Sequence, residues 1–129
     1  MRLHLTTIES GDSTGYQDVG GLVVQAITEW EELWKEHTSI LSQQPPLPSI
    51  DFAKEMVIAY FAGEKRQGGH RAEIDSVEVQ VPADPRDQKL VIRVSAQAPE
   101  RLSTDVMAQP YHIVRVPRVP FVRATFEIL

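Results

Sequence analysis

Four histidines are the first residues to weigh for chemistry: His4, His37, His70 and His112. No two of them stand two, three or four residues apart, so the chain has no local metal-ligating pair. His70 and His112 fall on predicted strands that can be neighbours, and with Glu73 or Asp75 they offer a three-ligand set. Nothing in the spacing enforces that set, so neither a metal nor a cofactor is expected. Ser13 stands in Gly-Asp-Ser-Thr-Gly, but the G-x-S-x-G elbow of a nucleophilic serine is missing, and the stretch reads as a turn. Asp51, Glu55, Glu73 and Asp75 supply carboxylates for acid–base work on a glycoside. No spacing pairs them, and structural or surface roles are the expected ones. There is no cysteine, which excludes a thiolate ligand, a thiol nucleophile and a disulfide framework.

The most informative text is Asp51 to Ile74, an apolar run, a polar loop between glycines, and a second strand. The loop from Gly63 to Gly69 is not a phosphate loop. It lacks the Lys-Ser/Thr pair and leads into a strand rather than a helix. Gly68 and Gly69 read as backbone devices, supplying positive φ for a hairpin connection. The functional reading of the same text is a hairpin tip whose Lys65, Arg66, Gln67, His70 and Arg71 touch a partner, since binding residues often sit on such tips.

The elements around this loop follow from periodicity. Leu3 to Ile8 and Leu22 to Ile27 are strand candidates. A helix is predicted from Thr28 to His37, with Thr28 and Glu31 in a capping-box pattern and Trp30, Leu33, Trp34 and His37 on one stripe. His37, near the helix end, is expected to pack or cap. The following Ser-Gln-Gln-Pro-Pro-Leu-Pro-Ser cannot stay helical and reads as a crossing connection. Glu55 to Ala62 is apolar at both parities, the mark of a strand covered on both faces. From His70 to Val81 the apolar parity switches from Ala72 and Ile74 to Val77, Val79 and Val81. A bulge or sharp bend near Asp75-Ser76 is therefore predicted. Leu90 to Gln97 alternates cleanly; Tyr111 to Val116 and Val119 to Leu129 complete the set, with Val122, Ala124, Phe126 and Ile128 facing inward. The expected fold is α+β. It is mainly antiparallel β, about seven strands in a curved sheet, a sandwich or a partly open barrel, with one packed helix.

The chain has 129 residues, the size of a single domain spanning 1–129 with one real core. Its net charge is −5. Residues 1–64 hold ten acids and three bases, and residues 65–129 hold eight acids and ten bases. This balance speaks against nucleic acid as a partner. It leaves room for a mildly basic surface of Arg115, Arg118 and Arg123. No apolar run reaches the length of a membrane span, and the N-terminus has no apolar leader segment. As written, the chain is expected to be soluble and cytoplasmic.

Taken in order, four features resemble the PrcB C-terminal domain family, named for a subunit of a bacterial protease complex. They are Trp30-x-x-Leu33-Trp34; Asp51-Phe52 before the strand Met56 to Phe61; Gly63 with Gly68-Gly69-His70; and Pro110-Tyr111-His112-Ile113-Val114. The resemblance runs from about residue 20 to the C-terminus. It implies a module without catalytic residues that stabilises or assembles with a protein partner, a protease among the candidates. Trp30, Trp34, Phe52, Gly63, Gly68 and Gly69 are expected to be structural. Members of that family are often exported or lipid-anchored.

The leading expectation is thus a non-enzymatic binding or assembly module. Its binding residues are the loop set already named together with Tyr111 and Arg115. The alternative is a small-ligand-binding or hydrolytic β-rich domain with a pocket near His70, Arg71 and Tyr111. A self-associating structural domain is a third reading.

Overall fold

The computed structural model describes residues 1–65, 70–97 and 107–129. The elements run β1 (Arg2–Leu3), β2 (Thr6–Gly11), β3 (Gly20–Val24), α1 (Ile27–His37), β4 (Glu55–Phe61), β5 (Arg71–Gln80), β6 (Lys89–Gln97), β7 (Tyr111–Pro117) and β8 (Arg123–Ile128). A single 3₁₀ turn, Pro85–Asp87, joins β5 to β6. The strands form two curved, four-stranded sheets of order β1-β5-β6-β8 and β2-β7-β4-β3. Among the described residues neither sheet closes into a barrel. No helix among them is long and apolar enough to cross a membrane. The fold is α+β, with two antiparallel-rich sheets and one helix.

β4 decides the layering. Every residue from Met56 to Phe61 is buried. Met56, Ile58 and Tyr60 point into a core shared with Ile74, Val77, Val79, Leu90, Ile92 and Val94 of the other sheet. Val57, Ala59 and Phe61 point the opposite way, against Trp30, Leu33 and Trp34 of α1. Alternation on one strand thus serves two cores.

β5 keeps its inward face through a bulge. Its register with β6 shifts between Ile74 and Ser76, leaving Asp75 as the extra residue. Without it Val77 and Val79 would turn to solvent; with it, Ala72, Ile74, Val77 and Val79 all reach the shared core. The strand stops at Gln80, so Val81 is exposed. On the outer face Glu78 holds Arg93 at 2.5 Å and Arg2 at 3.5 Å, and Arg93 approaches Glu127 at 3.5 Å, an ion ladder across β1, β5, β6 and β8. The Arg93–Glu78 pair is half-buried and the Arg2 end exposed, and solvent-accessible pairs of this kind contribute little stability.

Four expectations need correcting. The first strand candidate is two strands: β1 pairs with β5, and the chain then crosses at His4-Leu5 so that β2 pairs with β7. β8 lies parallel to β6, because the chain between them passes through β7 in the other sheet and returns in the same sense. Within β8, Ala124 and Phe126 pack on the core, whereas Val122 and Ile128 are exposed. The capping box does not form. The helix starts at Ile27 behind Ala26, which makes no side-chain cap, so Thr28 lies inside the first turn.

The far end of α1 is closed by hydroxyls instead. Thr38 Oγ1 donates to Trp34 O at 2.7 Å, and Ser39 Oγ donates to Glu36 O at 2.6 Å. The proline-rich segment crosses the tryptophans: Trp30 Nε1 donates to Pro48 O at 2.9 Å and Trp34 Nε1 to Pro45 O at 3.1 Å. It is a crossing connection, as its composition predicts. Asp51 launches β4, its Oδ1 accepting from Ala53 N and its carbonyl from Lys54 N and Glu55 N. Phe52 packs half-buried on the helix-side core. Gly63 leaves β4 at φ +81°, a left-handed conformation that only glycine adopts freely. Gly21 lies under the ring of Phe126, where a Cβ would overlap the aromatic carbons, and so lets the two sheets close at that edge.

Candidate functional site

One end of the molecule opens into a cleft of about 550 Å³. One wall is Arg71, Ala72 and Glu73 at the start of β5, with His70 before them. The other is Thr7, Ser10 and Gly11 of β2, with Asp12 following. Tyr111 and His112 of β7 join the walls. The cleft exists because β1 leaves the edge of β5 and the chain moves to the other sheet. The two strands then diverge, and no strand among the described residues spans the space between them.

His112 holds that junction. It is buried, on the same face of β7 as Val114 and Val116. Its Nδ1 accepts the Ile74 backbone N–H at 2.8 Å, and its Nε2 lies 2.9 Å from Thr7 Oγ1. A backbone N–H can only donate, so in the neutral ring the proton sits on Nε2 and is given to Thr7. One imidazole thus ties β5 to β7 and to β2. Burial pulls its pKa below the usual histidine range, against the opposing charges of Glu73 and Asp75. With both nitrogens engaged, His112 is not free to bind a metal with His70.

Tyr111 is fixed from behind. Its hydroxyl donates to Glu9 Oε1 at 2.5 Å. The same oxygen lies 2.8 Å from His37 Nε2, and His37 Nδ1 lies 2.6 Å from Thr14 Oγ1. His37 is buried at the end of α1, its ring edge-on to Tyr111 at 4.5 Å. Burial, followed by the hydrogen bond and charge of Glu9 and by Asp12, lifts the Tyr111 phenol well above its ordinary range. The phenol therefore stays protonated and donates. Thr14 Oγ1 also accepts from Tyr16 N at 3.1 Å, so every member of this chain of bonds has a partner. It reads as a clasp from helix to cleft.

Of the predicted binding residues, the structure brings His70, Arg71 and Tyr111 together. Lys65 forms an isolated backbone bridge with Ala108 and is not part of the cleft wall. Arg66, Gln67, Gly68 and Gly69 lie outside the described residues. Arg115 does not join the others. It lies on β7 about 13 Å from Tyr111 by strand rise, and its guanidinium stands 3.6 Å from Glu55. The suggested basic surface is likewise dispersed: Arg118 Nη1 is spent on the carbonyls of Gln25 and Phe52, and Arg123 stands on β8 in the other sheet. The candidate carboxylates are scattered too, with Asp51 in its turn, Glu55 beside Arg115, and Asp75 accepting from Ser95 Oγ.

Comparison with known families places these strands. Residues 56–117 match the PrcB C-terminal family. The family resemblance read from the sequence is thereby supported, over β4 to β7. The match contains the β5 wall of the cleft with Tyr111 and His112, and leaves out α1, β2 and the Asp51-Phe52 turn. No curated protein and no solved structure matches the chain.

Sequence reasoning missed Thr7, Ser10 and Asp12 of the opposite wall and the supports Glu9 and Thr14. β2 reads Thr-Thr-Ile-Glu-Ser-Gly, polar on both faces, so its period carries no signal for which side faces the cleft.

Proposed function

We propose that the protein is a non-enzymatic binding module that associates with a protein partner in a protease-related complex, and that the cleft between β5 and β2 is its contact surface. The observation that carries this reading is positional: His70, Arg71, Tyr111 and His112 converge at one cleft and all fall within the family-matched residues. The cleft is braced by buried hydrogen bonds on both sides, so its shape is set before a partner arrives, which lowers the ordering cost of association.

The test is a site-specific photocrosslink from Ser10 in the native host. The proposal expects an adduct with a protein partner that Arg71→Glu abolishes and Arg86→Glu, on the distant 3₁₀ turn, leaves intact. An adduct indifferent to Arg71→Glu would contradict it.

A second reading has its own support in the cleft's size. About 550 Å³ falls within the range of small-molecule sites. On that reading a polar metabolite raises the melting temperature of the wild type and not of Arg71→Glu.

A further inference from the structure

We infer that the occupant of the cleft is an extended segment of the partner polypeptide, added as a strand to the open edge of β5 at Ala72; this deepens, and rests on, the binding role assigned to the cleft. The edge already takes a strand further along. Val79 N donates to Met1 O at 2.8 Å, and the Met1 amine donates back to Val79 O at 3.1 Å. β1 pairs as far as Val77 and then leaves. Among the described residues no strand takes its place beside Arg71–Ile74.

The direction of the backbone groups on that stretch follows from two hydrogen bonds. Ile74 N–H goes to His112, away from β6. Its cross-strand partner Val94 turns its carbonyl to Leu129 N, away from β5. Ile74 and Val94 are therefore a non-hydrogen-bonded pair, and so are Ala72 and Ala96 two residues earlier. Ala72 thus presents both its N–H and its C=O to the outer edge, where the cleft lies. A single extended residue opposite it completes both bonds. His112 caps the next donor along, so pairing is confined to the start of β5.

The charges point the same way. Asp12 lies on the wall opposite Arg71, and Glu73 follows Arg71 on its own strand, with His70 beside them. Signs so nearly balanced select neither an anion nor a cation. What the site offers without compensation is backbone, and strand addition to a sheet edge draws its affinity from main-chain hydrogen bonds.

The probe is a displayed library of random linear heptapeptides selected on the full chain, with the enriched peptides resynthesised. Strand addition predicts that N-methylation at alternate residues weakens binding by about tenfold in one register and little in the other. It also predicts that the Ala72 amide becomes protected from exchange on binding. Indifference to N-methylation, an unprotected Ala72 amide, or failure of any peptide to enrich while the Arg71-dependent crosslink persists overturns the strand and leaves the binding role standing. Loss of that crosslink's dependence on Arg71 overturns the role itself. Protection of Ala72 that rises with protein concentration alone identifies a second copy as the occupant and overturns the inference.

Discussion

Replacing His112 with alanine is expected to cost about 3 kcal/mol or more of folding stability, read as a lowered urea midpoint at unchanged slope. The ring is buried and makes two bonds that hold the sheets together at the cleft. Its loss leaves a cavity and an Ile74 N–H with no acceptor, and an orphaned buried donor costs more than its hydrogen bond contributes. The same residue sets a pH dependence. Its folded pKa lies below the ordinary histidine value, so the unfolded chain binds the proton more readily. The contribution is complete above a pH of about 6.5 and is lost as the pH falls through that value toward the folded pKa, at no more than about 1.4 kcal/mol per pH unit for one proton. Protonation removes the lone pair that accepts from Ile74. His112→Gln keeps an acceptor and does not titrate, so its stability is expected to fall less than the wild type's between pH 7.5 and 5.5. Parallel pH curves for the two proteins would contradict this account of the junction.

Trp30→Ala is expected to cost about 4 kcal/mol, a large part of the stability of an ordinary domain. The indole is fully buried between β4 and the proline-rich crossing, with its ring centroid 5.6 Å from that of Trp34. Its N–H satisfies Pro48 O. The effect extends to the cleft. α1 carries His37, His37 holds Glu9, and Glu9 holds the Tyr111 hydroxyl. A loosened helix therefore releases Tyr111, and the Tyr111 side chain should show increased mobility by NMR relaxation. Trp30→Phe retains most of the packing and is expected to cost less than half as much. Equal losses for the two variants would mean that the Pro48 bond, not the burial, carries the stabilisation.

The parts of the fold legible in the sequence are those written as periodicity. β4 shows apolar residues at both parities, and it is the strand shared by two cores. The parity switch in β5 required an extra residue, and Asp75 is that residue. Helix position was legible from the tryptophan stripe. Its cap was not: the helix is capped two residues earlier, at Ala26, which puts Thr28 inside the first turn. The split of the first strand and the parallel placement of β8 were also hidden, because each depends on which sheet the chain joins, and short-range pattern is silent on that. At the cleft, His70, Arg71 and Tyr111 were legible as polar and aromatic residues at strand ends. His112 was read as a possible ligand, yet it stands in phase with Val114 and Val116, the signature of a core position. Arg115, another binding candidate, stands beside Glu55 and apart from the cleft, a placement its strand period does not reveal.

The central claim is that the partner occupies the cleft. Hydrogen exchange on the free protein, and on the protein bound to the partner recovered through the Ser10 crosslink, tests it most directly. The expected result is new protection at Arg71–Ile74 and Thr7–Asp12, with β8 and the exposed side of α1 exchanging as in the free protein. Protection confined to β8 or to α1, with the cleft amides unchanged, would contradict it.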